Sequence, residues 1–218
     1  MNKIGLIGDV HGDFEHLNNL IDKHKNDVDC FIQAGDLGYF PNFPEYKNRF
    51  ENFKPSKKLY FIDGNHDNHE ELQKYNTVEE LTPNVNYCPR GTIITLDDGR
   101  KILLVGGAAS LDASIRTMGV DWWQEEIIGQ KQGNKILDKI NNENLDIIIS
   151  HTCPKSIKLK LFDRCLSFND PTEDFLEIIL ETKKPSMWYF GHFHMEREGK
   201  INDTYWRCLD INEFLIMK

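Results

Sequence analysis

The chain has 218 residues, 39% hydrophobic and 28% charged, the balance of a soluble globular protein rather than a disordered or membrane-embedded one. Its formal charge of -9, with no basic run longer than Lys57-Lys58 or Lys183-Lys184, argues against strong nucleic-acid binding. No apolar stretch approaches the ~18 residues of a membrane span, and the five scattered cysteines (Cys30, Cys88, Cys153, Cys165 and Cys208) form no C-x-x-C pair, which argues against a disulfide framework or a zinc knot.

Length favours a single domain over residues 1–218. The short apolar stretch before Asp9 has no room for a signal-peptide core, so a cytoplasmic, reducing setting is expected. Lys3-Ile7 reads as a strand ending in Gly8-Asp9. Asp13 then caps a helix with Phe14, Leu17, Leu20 and Ile21 at helical spacing. Cys30-Ala34 is a second strand, Phe43-Phe53 a helix and Lys58-Ile62 a third strand, an alternation that predicts a parallel sheet with helical crossovers. Val85-Tyr87, Thr92-Leu96 and Lys101-Val105 read as short strands, the last two joined by an Asp98-Gly99 hairpin turn. Asp121-Ile128 and Asn134-Asn141 read as helices, Asp146-Ser150 as a buried strand, Thr172-Thr182 as a helix and Met187-Phe190 as a strand. Thr204-Asp210 and Glu213-Met217 are expected to close the fold as a pair of strands.

The functional signal lies in where the polar residues fall. Five apolar strands each end in a short cluster containing Asp, Asn or His: Asp9-x-His11, Asp36, Asn65-His66, His151 and His192-x-His194. In open α/β sheets, ligands bind outside the carboxyl ends of the strands, where residues distant in sequence converge. Carboxylate, amide and imidazole donors suit Mn, Fe, Zn or similar ions, and they are too many for one tetrahedral ion. Each motif alone has a plainer explanation. A lone Asp after a strand is more often a turn or cap residue, and a lone buried His is more often structural. Two imidazoles at alternate positions in Gly191-His192-Phe193-His194 share one face of an extended segment, which packing does not explain.

In order and type, Gly8-Asp9-Val10-His11-Gly12, Gly35-Asp36-Leu37-Gly38, Gly64-Asn65-His66-Asp67, Ser150-His151 and Gly191-His192-Phe193-His194 resemble the calcineurin-like metallophosphoesterase family. The resemblance implies an α/β fold: a two-sheet β-sandwich flanked by helices in four layers, α/β/β/α. It implies two divalent metal ions, Mn first, with Fe, Zn or Mg as alternatives. Asp9, His11 and His194 would hold one ion, Asn65, His151 and His192 the other, and Asp36 would bridge them. His66 would be the general acid beside the leaving group. The implied reaction is hydrolysis of a phosphate ester by a hydroxide between the two ions, a diester being favoured over a monoester. A small-molecule or protein phosphomonoesterase is the alternative. A non-catalytic scaffold is a further one, disfavoured because every expected ligand is kept.

Residues 106–126, with Arg116 and Trp122-Trp123, resemble a bacterial and phage subgroup in which this segment borders the substrate cleft. Arg116 is therefore a candidate phosphate contact and Arg90 a weaker one, while Trp122-Trp123 also fits a purely packing role. Asp67 reads as either an orienter of His66 or a helix cap. The protein Ser/Thr phosphatase branch carries Arg before Gly-Asn-His and Glu after it, where this chain has Asp63 and Asp67. Tyr39, Phe40 and Phe43 fit loop packing better than an aromatic substrate wall, and Cys153 reads as inert.

Overall fold

The computed structural model describes residues 3–163 and 168–217; Cys165 lies outside them. Two six-stranded sheets form the centre. In the first, β1 (Ile4–Ile7), β2 (Cys30–Gln33), β3 (Leu59–Phe61) and β5 (Val85–Tyr87) run parallel. It is bordered by antiparallel β4 (Glu79–Thr82) and β12 (Phe214–Ile216). In the second, β7 (Lys101–Val105), β8 (Ile147–Ser150), β9 (Met187–Phe190) and β11 (Thr204–Cys208) run parallel. Its antiparallel borders are β6 (Thr92–Thr95) and β10 (Arg197–Ile201).

The strands read as unbroken apolar runs because both of their faces are buried. Ile4, Leu6, Ile32, Ile102, Leu104, Ile147 and Ile149 point between the sheets and share one core with Ile62, Cys88, Tyr189 and Leu209. The alternate residues point outward. On the first sheet, Ile7, Phe31 and Phe61 meet Phe14, Leu17 and Ile21 of α1 (Phe14–His24) and Phe50 of α2 (Pro44–Asn52). On the second, Leu103, Ile148, Trp188 and Phe190 meet a helical layer: α4 (Gln130–Ile140), α5 (Lys155–Phe162) and α6 (Pro171–Lys183). The short α3 (His69–Leu72) follows β3. The expected layered sandwich is thus present. Among the described residues no helix is long and apolar enough to cross a membrane. Among the described residues Cys30, Cys88, Cys153 and Cys208 are buried and form no disulfide, and burial pushes their thiols up.

Three expectations are corrected. Residues 121–128 do not form a helix; only Gln124–Glu126 make a 3₁₀ turn. The carbonyls of Glu125, Glu126 and Ile127 accept from the Arg90 guanidinium, and the Ile128 N–H donates to Thr172 Oγ1, so a helical ladder has no free partners there. The helix after it starts at Gln130, four residues before the expected Asn134. The two closing strands do not pair with each other: β11 joins β9 in the second sheet, while β12 crosses to β1 in the first. Strands β4 and β10 and helices α3 and α5 were not anticipated.

Candidate metal centre

All seven expected ligands lie just beyond the carboxyl ends of β1, β2, β3, β8 and β9, and the structure brings them together. Donor atoms of Asp9, His11, Asp36 and His194 all lie within 4.8 Å of one another. His194 Nε2 is 3.0 Å from Asp9 Oδ2 and 3.0 Å from His11 Nε2. On the other side of Asp36, His151 Nε2 lies 3.3 Å from Asp36 Oδ1 and 3.1 Å from Asn65 Oδ1. The His192 ring sits 5.0 Å from that of His151, centroid to centroid. Asp36 turns Oδ2 toward His11 (3.9 Å) and Oδ1 toward His151, so one carboxylate faces both groups.

Backbone strain is concentrated here. His11, Asp36, His192 and His194 adopt left-handed φ values of 50°, 57°, 67° and 49°. Such conformations cost about 1–3 kcal/mol each for residues other than glycine and persist only where surrounding structure enforces them. The glycines before two of the ligands serve close approach. A methyl group on Gly64 would overlap Asp36 Oδ1, and one on Gly191 would overlap Asp9 Oδ1.

The electrostatics favour a cation. Asp9 and Asp36 are 0% and 1% exposed, yet among the described residues no Lys or Arg pairs with either. Their backbone hydrogen-bond donors are the N–H groups of His192 and His66, beside the imidazoles of His194 and His151. A buried carboxylate without a permanently charged partner is costly, and a metal ion bound here would supply the charge that otherwise falls to the imidazoles. Burial disfavours a charged His151, but the Asp36 carboxylate outweighs it and pushes the imidazole up to about 10. Asp36 itself, despite burial, is held well below the usual carboxylate range by His151. The hydrogen bond from His194 to Asp9 raises the His194 imidazole. Burial, aided by the charge on His151, lowers His192. When His151 is neutral, Nδ1 donates to the Ala34 carbonyl (2.9 Å), and the Nε2 lone pair faces Asn65 Oδ1 and Asp36 Oδ1. Acceptors turned on one another in this way fit a shared divalent ion.

His66 lies at the edge of the cluster, its ring 5.1 Å from that of His11. Arg116 Nη2 lies 2.5 Å from His66 Nδ1 and 2.7 Å from Nε2. The guanidinium is fixed by Asp112 (2.9 Å) and by the carbonyls of Asn65 and Asp121. Burial holds the His66 imidazole below its ordinary pKa; Asp36 opposes this and Arg116 adds to it.

Other sequence readings resolve differently. Arg90 is not available to substrate: its N–H groups are directed at Asp63, three carbonyls and Gln132. Asp67 neither orients His66 nor caps α3. Its carboxylate accepts from Gly38, Tyr39 and Gly64, which ties the loop after β2 to the loop after β3, and Asn68 is the cap. Tyr39 packs on Phe50, while Phe40 packs on Phe43, Tyr46 and Trp123, so these aromatics join loops. Two residues that sequence reasoning passed over touch the site. Ser110 Oγ accepts from Asn65 Nδ2 (3.2 Å), and Glu126 accepts from Ser110. The sequence signals were their place in the 106–126 segment and the Glu125-Glu126 pair between apolar residues in the stretch 122–128.

A profile of the calcineurin-like phosphoesterases matches residues 2–196. No curated protein sequence matches the chain. Among solved structures, the chain is similar to GAP50, the anchor in the inner membrane complex of Plasmodium, with a TM-score of 0.56 and 11% identity over 96% of this chain and 71% of that one. It is also similar to a protein of Thermus thermophilus, with a TM-score of 0.53 and 10% identity over 99% and 98% of the two chains. At such identities the structural likeness concerns the fold alone. The match over most of the sequence shows that this chain belongs to the calcineurin-like phosphoesterase family, metal-dependent hydrolases of phosphate esters.

Proposed function

We propose that the chain hydrolyses a phosphate ester at a two-metal centre, a diester in preference to a monoester. The observation that carries this reading is a pair of fully buried carboxylates, Asp9 and Asp36, ringed by imidazoles and an amide oxygen and paired with no Lys or Arg among the described residues. Asp9, His11 and His194 would hold one ion and Asn65, His151 and His192 the other. Asp36 would serve both through its two oxygens. The mixed oxygen and nitrogen donors favour Mn, with Fe, Zn and Mg as alternatives. Divalent ions bound there supply positive charge for the phosphate and activate the attacking water.

The chain's own residues do the rest. His66, beside His11, donates a proton to the departing oxygen, and Arg116 holds that imidazole while presenting a guanidinium to a phosphate oxygen. Asp63 stands where the protein-phosphatase branch carries an arginine. It is consumed by Arg90, which supports a substrate other than a phosphoprotein. The test is turnover of aryl phosphate mono- and diesters with Mn²⁺, Zn²⁺, Fe²⁺ or Mg²⁺. Diester turnover above monoester turnover is expected. A chain that takes up metal but cleaves neither ester would be the scaffold instead.

A further inference from the structure

Asn65, Ser110 and Glu126 form a buried chain, 4%, 4% and 2% exposed. Glu126 Oε1 accepts the Ser110 backbone N–H at 2.6 Å, and Oε2 lies 2.7 Å from Ser110 Oγ. An ionised carboxylate only accepts, so the serine hydroxyl must donate its single proton to Glu126. The hydroxyl oxygen is then an acceptor toward Asn65, and Asn65 Nδ2 occupies that position at 3.2 Å. With its N–H₂ end fixed outward, the amide turns Oδ1 inward, to 3.1 Å from His151 Nε2. Arg90 secures the far end of the relay by binding the carbonyls of Glu125 and Glu126.

An asparagine side chain can present either end to a site, and only the oxygen ligates a cation. Resting on the proposed role of Asn65 as a ligand, we propose that Glu126 and Ser110 are positioning residues that dictate which end of Asn65 faces the metal. The carboxylate of Glu126 sets the direction of two successive hydrogen bonds and so decides the polarity of a ligand it never touches.

Glu126→Gln keeps the shape and reverses the direction. Its amide donates to Ser110 Oγ, the hydroxyl then donates to Asn65, and Asn65 flips its oxygen outward. Calorimetric titration with Mn²⁺ and metal content per chain after dialysis read the result. In the wild-type chain two ions are expected. In Glu126→Gln one ion binds as before and the other about tenfold or more weakly, the usual scale for losing an outer partner of a ligand. Combining Glu126→Gln with Asn65→Asp restores that affinity, because Asp offers acceptors at both ends and takes the reversed serine proton. A merely structural role for Glu126 predicts no such rescue. The exposed neighbour changed alike, Glu125→Gln, leaves both affinities unchanged. Unaltered binding by Glu126→Gln, failure of the rescue, or an equal loss in Glu125→Gln overturns the inference. If Glu126→Gln does not fold by circular dichroism, Ser110→Ala with and without Asn65→Asp gives the same two readings. A wild-type chain that binds no metal overturns the proposed function and this inference together. Two ions in the wild type and two undisturbed ions in Glu126→Gln overturn only the inference.

Discussion

Two sets of buried carboxylates sit at neighbouring strand ends, and they are held by opposite means. Asp63, after β3, is paired with Arg90 at 2.7 Å and accepts a further hydrogen bond from Tyr87. Asp9 and Asp36, after β1 and β2, face only imidazoles and backbone N–H groups. The first set is electrically complete within the protein. The second is faced by imidazoles alone, with no Lys or Arg among the described residues, and the backbone around it is strained. Equal burial therefore does not mean equal purpose: Asp63 with its Arg90 builds the wall, whereas Asp9 and Asp36, ringed by imidazoles, have the surroundings of candidate metal ligands.

Replacing one carboxylate from each set is the hardest test of this contrast. Asp36→Asn is expected to give the largest loss of turnover, beyond that of removing the acid, because both proposed ions depend on it. It should also abolish the stabilisation by Mn²⁺ that the wild type shows, about 2.7 kcal/mol at a hundredfold excess over Kd, read from urea midpoints. Next in size, His66→Ala should cut turnover by about 10²–10⁴-fold for alkyl esters and least for esters with acidic leaving groups, with metal content unchanged. If the metals are lost as well, His66 belongs to the ligand set. On the structural side, Arg90→Met should lower stability by about 3–5 kcal/mol by stranding Asp63, in metal-free and metal-loaded protein alike. A smaller loss from Arg90→Met than from Asp36→Asn in metal-free protein would erase the distinction.

The smallest effect concerns pH. Burial holds His69, which lies against Asp63 and Arg90, down to about 4, below its ordinary 6.5. The unfolded chain thus takes up this proton first. The stability that neutral His69 contributes is whole above pH 6.5 and drains away as pH falls toward 4, by at most about 3 kcal/mol. His69→Gln should flatten the stability curve in that window and nowhere else, as urea midpoints from about pH 4 to 7 would show.

The positions that converge on the candidate site were legible because parallel strands buried on both faces are continuous apolar runs, and the polar residue that ends each run stands out. Asp36 and His151 were visible for that reason. The edge strands β4 and β10 were not: Glu79–Thr82 and Arg197–Ile201 are charged, largely exposed and held by ladder bonds to one neighbour. The periodicity of 121–128 suggested a helix, but the guanidinium of Arg90, far upstream, claims its carbonyls. Ser110 and Glu126 were missed because their meaning is directional: it lies in who donates to whom, and residue type alone does not carry it. Arg116 was marked by resemblance, and its contact with His66 emerged only with the loops in place.

The crossing from β11 to β12 has a consequence for biosynthesis. Residues 209–213 pass directly over the start of the site: the Asn212 N–H donates to the Asp9 carbonyl, the Gly8 N–H donates to the Glu213 carbonyl, and β12 then covers the open edge of β1. A chain emerging from the ribosome carries β1 uncovered until residues 214–216 have been made. Molecules translated only as far as β8 hold Asp9 and Asp36 without His192 and His194. The candidate site is therefore complete only once β9 and β12 are in place.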